Sequence, residues 1–174
     1  SPRGNLIPVT IVDETDLPGG CQGIVAAIPY RGRALPFAFR IYRYDQMPAG
    51  QNVIEREFFS LVACLLRFHK LEPVFILDRG YADIKLIRYF KEELKTHFVI
   101  RAPNNVYVRL PGYAGRLSKL GRTGQWEAVG YHGKKPAQLN LAVCRGKDHY
   151  GKEELVYLVT DLPAKEAQER YRLR

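Results

Sequence analysis

The sequence predicts an α/β fold, a mixed sheet with flanking helices, and two apolar runs carry that prediction. The first, Leu6-Ile7-Pro8-Val9-Thr10-Ile11-Val12, ends on Asp13-Glu14-Thr15. The second, Val74-Phe75-Ile76-Leu77, lies between Pro73 and Asp78-Arg79-Gly80-Tyr81. Short continuous apolar runs bounded by turn residues read as strands buried on both faces. A third observation adds the helices. Ile84, Leu86, Ile87, Phe90 and Leu94 follow the second run near helical spacing, which makes the unit strand, turn, helix.

In chain order, the first strand covers 5–15. Side chains alternate along a strand, so Val9, Ile11 and Asp13 share one face while Thr10, Val12 and Glu14 share the other. Pro18-Gly19-Gly20 is a turn signal. Strands at 22–28 and 35–42 are joined through Tyr30-Arg31-Gly32-Arg33, a hairpin with two arginines at its tip. Pro48-Ala49-Gly50 breaks the chain again. Over 52–70 an amphipathic helix buries Val53, Phe58, Phe59, Leu61, Val62, Leu65, Leu66 and Phe68 and turns Glu55, Arg56, Glu57 and Arg67 outward. The strand ending at Asp78 comes next, then a helix over 82–94, then a fifth strand over 96–101. Three strands, helix, strand, helix, strand is the chain order of an RNase H-like core, with acids at the ends of the first and fourth strands.

Beyond Pro103 the character changes. Tyr107, Arg109, Tyr113, Arg116, Lys119, Arg122, Trp126, Tyr131, Lys134 and Lys135 interleave rings with cations, and short strands are expected at 106–110, 125–131, 138–145 and 155–160. The chain therefore divides into a core over 1–102, a β-rich insertion returning to the core over 103–160, and the start of a final core helix over 161–174. Mixed aromatic and basic residues suit contacts with DNA backbone and unstacked bases, although any one of these rings also fits ordinary strand packing. Thr160 or Asp161 is the expected cap of the last helix.

Composition narrows the function. The chain has 174 residues, enough for one domain with a large insertion, and 46% hydrophobic content excludes disorder over most of it. Lys and Arg number 27 against 18 acidic residues, a net charge of +9 that favours a polyanionic partner. No long apolar span points to a membrane. Cys21, Cys64 and Cys144 are odd in number and far apart, and His69, His97, His132 and His149 are scattered. Neither a zinc site nor a disulfide framework fits, and a reducing cytoplasm is the simplest home. Two buried strands, each with a carboxylate at its carboxyl end, can bring those acids together. Paired carboxylates in basic surroundings suit divalent cations acting on phosphate. Asp78 alone fits an N-cap equally well.

Three segments resemble the DDE transposases of bacterial and archaeal insertion sequences, in the group marked by the YREK signature. Val12-Asp13-Glu14-Thr15 is similar to the Asp-x-Thr at that family's first acid. Leu77-Asp78-Arg79-Gly80-Tyr81 is similar to its Asp-Arg-Gly-Tyr at the second. Tyr171-x-x-Arg174 resembles the opening of Tyr-x-x-Arg-x-x-x-Glu-x-x-x-x-x-x-Lys. The resemblance implies a site in which Asp13, Asp78 and a third acid hold two Mg²⁺ ions (or Mn²⁺) for in-line attack on phosphodiesters. It implies double-stranded DNA, transposon ends and target, as partner, a homodimer in the synaptic complex, and a cytoplasmic protein that is nucleoid-associated when bound to DNA. Thr15 would steady the turn at the first acid. Arg79 would contact the adjacent DNA phosphate or its own carboxylate, Tyr171 and Arg174 would hold the phosphate backbone at the transposon end, and Arg109, Arg116, Lys119 and Arg122 would contact DNA from the insertion. Glu14, Asp16 and Asp83 rank below Asp13 and Asp78 by strand parity or motif position. The third acid would fall four residues past Arg174, so the chain reads as a catalytic-core fragment that lacks it and is inactive as it stands; both ends look cut from something longer. Two other readings stay open: a DNA-binding remnant without catalysis, and an RNase H-like nuclease.

Overall fold

The computed structural model describes residues 8–46, 50–147 and 150–174, and of Tyr44 the backbone alone. The expected strand residues 5–7, the break at Pro48-Ala49 and His149 lie outside the described residues.

The two apolar runs lie side by side as parallel strands. β1 (Val9–Leu17) pairs with β4 (Val74–Leu77) from Val9 opposite Val74 to Val12 opposite Leu77. β5 (His97–Arg101) adds a third parallel strand on the far edge of β4. On the other edge of β1, β2 (Cys21–Tyr30) and β3 (Arg33–Arg43) pair antiparallel in turn. The remaining strands are β6 (Tyr107–Leu110), β7 (Tyr113–Arg116), β8 (Gly124–Tyr131), β9 (Ala137–Lys147) and β10 (Glu153–Thr160). They form no separate sheet. β10 docks antiparallel on β5, and a single ten-stranded sheet runs β3-β2-β1-β4-β5-β10-β9-β8-β6-β7.

Helices cover both faces, which is why β4 is apolar at every position. Phe75 and Leu77 point into a cluster under α1 (Gln51–Phe68), where Phe59 meets Phe75, Phe90 and Tyr81 at ring-centroid distances of 5.1, 4.9 and 5.7 Å. Val74 and Ile76 point the other way, into a second cluster with Val9, Ile11, Val99, Leu158 and Ala167 of α3 (Ala164–Tyr171). Strand parity thus assigns each residue of β1 and β4 to a face.

Four expectations need correction. β1 does not end at Thr15: its parallel pairing stops at Val12, but its pairing with β2 continues to Leu17 opposite Cys21. Thr15 therefore lies within a continuing strand opposite Gly23, not at a turn. In α1 the buried stripe is Ile54, Glu55, Phe58, Phe59, Val62, Ala63 and Leu66. Glu55 is buried, while Leu61 (63% exposed) and Phe68 (82%) face out, because only one stripe of a helix can meet the sheet. The helix expected over 82–94 divides into α2 (Ile84–Arg88), capped by Asp83, and a wider π-helical turn over Tyr89–Leu94. Neither Thr160 nor Asp161 caps α3. The Ala164 amide donates to Glu127 of β8 at 2.9 Å, while Asp161 accepts from the Phe98 amide and Thr160 donates to the Phe98 carbonyl. β7 was not expected at all.

Candidate active site

Parity places the two acids. Val9 and Ile11 belong to the α3 face, so Asp13 emerges there; Val74 and Ile76 do the same for Asp78, which keeps extended backbone just past β4. Each stands one residue beyond the last parallel pair, Val12 opposite Leu77. The strand ends of a parallel segment are where ligands gather in open α/β sheets.

Both carboxylates are held in the same way. Oδ1 of Asp13 accepts from the Glu14 amide at 3.1 Å, and Oδ1 of Asp78 accepts from the Arg79 amide at 2.7 Å. Their Oδ2 atoms share one guanidinium: Arg174 lies 2.9 Å from Asp13 and 3.3 Å from Asp78. Arg174 reaches them from the turn that follows α3, where its amide donates to the Tyr171 carbonyl at 3.1 Å and its guanidinium to the Tyr171 hydroxyl at 3.2 Å. Burial alone pushes the Asp78 carboxyl up, but the Arg79 amide and Arg174 outweigh it and hold it below the usual range. Burial opposes the charge on Arg174, and the Tyr171 hydroxyl with the two acids holds it on more firmly than usual. Arg101 of β5, paired with Glu154 at 2.5 Å, adds a second cation that favours ionised Asp78.

Glu14 takes the opposite face. It accepts from the Tyr42 hydroxyl and, at 3.4 Å, from Gln51 of α1. Nearby, burial and the Glu14 charge push the Glu55 carboxyl up to about 7. The buried Tyr81 hydroxyl has no hydrogen-bond partner among the described residues, and burial with the charges of Glu14 and Glu55 pushes it up strongly. Asp16 holds the Gln22 side chain at 2.5 Å.

The expected DNA contacts divide into two groups. Arg79, Tyr171 and Arg174 surround the acids, with Arg79 exposed directly after Asp78. Arg109, Arg116, Lys119 and Arg122 are exposed on and after β6 and β7, and Arg122 lies 5.7 Å from the centroid of the Trp126 ring. β6 is five strand positions from β4, about 24 Å at 4.8 Å each, so this group is not brought to the acids. What the sequence reading missed is Arg174 as the counter-ion of both acids, and Arg101 beside them; no local spacing signals either.

Among the described residues no group of three or more His, Cys, Asp or Glu is placed to hold a metal, and no helix is long and apolar enough to cross a membrane. Residues 4–174 match the family model described as Transposase DDE domain. No curated protein matches the chain.

Proposed function

The chain belongs to the transposase DDE domain family, and from that premise we propose that Asp13 and Asp78 are two of its catalytic acids, on an RNase H-like core, for cleavage and strand transfer at transposon ends. The observation that carries this reading is the pair itself: two carboxylates, on one face at adjacent parallel strand ends, gripping a single cationic group. The strand order β3-β2-β1-β4-β5 supports the core assignment.

The donor set fits a hard divalent cation. Two carboxylate oxygens already converge on one positive charge, Mg²⁺ prefers such oxygen ligands, and Mn²⁺ is an alternative. When bound, the ions would supply Lewis acidity toward the phosphodiester and lower the pKa of an attacking hydroxyl. Asp13 and Asp78 would hold them, with the Glu14 and Arg79 amides fixing the orientation of each carboxylate. Arg174 must then leave at least one oxygen of each acid, and a DNA phosphate is the natural acceptor for its released guanidinium. Arg79 and Tyr171 lie on the same approach. Thr15 lines the strand next to Asp13 as a supporting residue. Arg109, Arg116, Lys119 and Arg122 would meet more distant duplex. A homodimer would bring two such sites to the two transposon ends.

A third acid would complete the ligand set. The test is metal-dependent nicking and joining of labelled transposon-end DNA. Asp13→Asn and Asp78→Asn should each reduce the rate by orders of magnitude, several kcal/mol in the barrier. Cleavage that survives both substitutions would sink the assignment. Cutting of an RNA–DNA hybrid without joining would favour the nuclease reading instead.

A further inference from the structure

The hairpin tip between β2 and β3 belongs neither to the acid pair nor to the basic edge at β6 and β7. Arg31 takes left-handed backbone there (φ 49°) beside Gly32 (φ 75°), so the chain reverses tightly, and Arg31 and Arg33 are both exposed. Arg31 lies 5.2 Å from the centroid of the Tyr30 ring, and Tyr30 is 52% exposed. Together with the turn after α3 the tip lines a groove of about 400 Å³ that includes Ile11, Arg31, Arg33, Arg172 and Arg174, with no acidic residue in the lining. Among the described residues, Arg174 is the one member of this quartet with a carboxylate partner.

Beside the paired Arg174, the guanidinium groups of Arg31, Arg33 and Arg172 line one groove without a carboxylate partner among the described residues, a like-charge arrangement that favours an anion between them. Arginine's planar fork suits phosphate, and the exposed Tyr30 ring offers a face to a base. The groove lies next to the acid pair, because Arg174 lines it and binds both acids, and Ile11 lies two residues before Asp13 on the same face. From Ala27, opposite Ile11, to Arg31 the hairpin extends four residues, about 13 Å or some four base steps of duplex. We propose that this groove carries the backbone of the DNA strand that enters the Asp13–Asp78 site, with Arg31, Arg33 and Arg172 on phosphates a few nucleotides from the reacting one. The assignment rests on the functional reading above and adds the path of the strand.

The test is the salt dependence of binding to labelled transposon-end duplex, followed by fluorescence anisotropy between roughly 50 and 200 mM salt. Each lost phosphate contact lowers the slope of log affinity against log salt by about one. The double variant Arg31→Ala/Arg33→Ala should therefore lose about two units of slope, Arg172→Ala on the opposite wall about one, and Arg31→Lys/Arg33→Lys almost none. Arg172→Ala stands apart from the hairpin and serves if the double variant folds poorly. A parent-like slope in both alanine variants, with the slope instead lost in Arg109→Ala/Arg116→Ala/Lys119→Ala/Arg122→Ala, would overturn the groove. That result would leave the functional reading intact, since the latter stands on nicking by Asp13 and Asp78. A parent chain that binds no duplex would overturn the groove as well, whatever its nicking activity.

Discussion

At the scale of single residues, the chain carries two carboxylates with opposite settings. Asp78 is held below its ordinary range by an amide and a guanidinium that outweigh its burial. A depressed carboxyl stabilises the fold above its unfolded pKa, and that contribution disappears as pH falls through the folded value. Glu55 is the reverse: buried near Glu14, it is raised from 4.5 to about 7. The folded state then binds the proton more tightly than the unfolded chain, so stability is full below about pH 4.5 and declines as pH climbs through 7. The rise corresponds to about 3 kcal/mol at 1.36 kcal/mol per pH unit. Glu55→Gln should flatten that decline, leaving the variant more stable than the parent at mildly alkaline pH and little changed in acid. Thermal melts across the pH range check it; parallel curves for parent and variant would mean that Glu55 ionises without penalty.

At the scale of elements, α1 packs on the sheet through its buried stripe, with Phe59 near the middle of it. Phe59 touches Phe58, Phe75, Tyr81 and Phe90 edge-on and is fully buried. Phe59→Ala should cost about 3–5 kcal/mol, read as a shifted denaturant midpoint; a change under about 1 kcal/mol would place the anchor elsewhere in α1. β4 was legible in the sequence because both of its faces are covered, which forces an unbroken apolar run. The orientation of α1 was less legible. Val53, Leu61, Leu65 and Phe68 add apolar residues outside the stripe that meets the sheet, and Glu55 sits inside it, so counting apolar positions misassigned both. β7 escaped notice because Tyr113–Arg116 has few apolar residues and its only local mark is the Pro111-Gly112 turn. The α3 cap was hidden for another reason: Glu127 comes from a strand distant in sequence, and only the folded sheet brings it to Ala164.

At the scale of the whole molecule, one continuous sheet places three features in a line: the arginine groove beside β2 and β3, the acids on β1 and β4, and the basic edge at β6 and β7. A duplex lying across the α3 face could meet the first two together, and the third only if it extends several strand spacings further. That Asp13 and Asp78 share a face at neighbouring strand ends was legible, since strand parity and position follow from the pattern of Val9, Ile11, Val74 and Ile76. Arg174 as their shared counter-ion was not, because it joins residues 161 positions apart. Whether Asp13 and Asp78 form one cation site is tested most directly, without requiring turnover, by localised paramagnetic broadening. Substoichiometric Mn²⁺ should erase the amide NMR signals of Glu14 and Arg79 before others in the parent chain, and should spare them in Asp13→Asn/Asp78→Asn. Broadening that is uniform, that centres elsewhere, or that persists at Glu14 and Arg79 in the double variant would contradict a shared site.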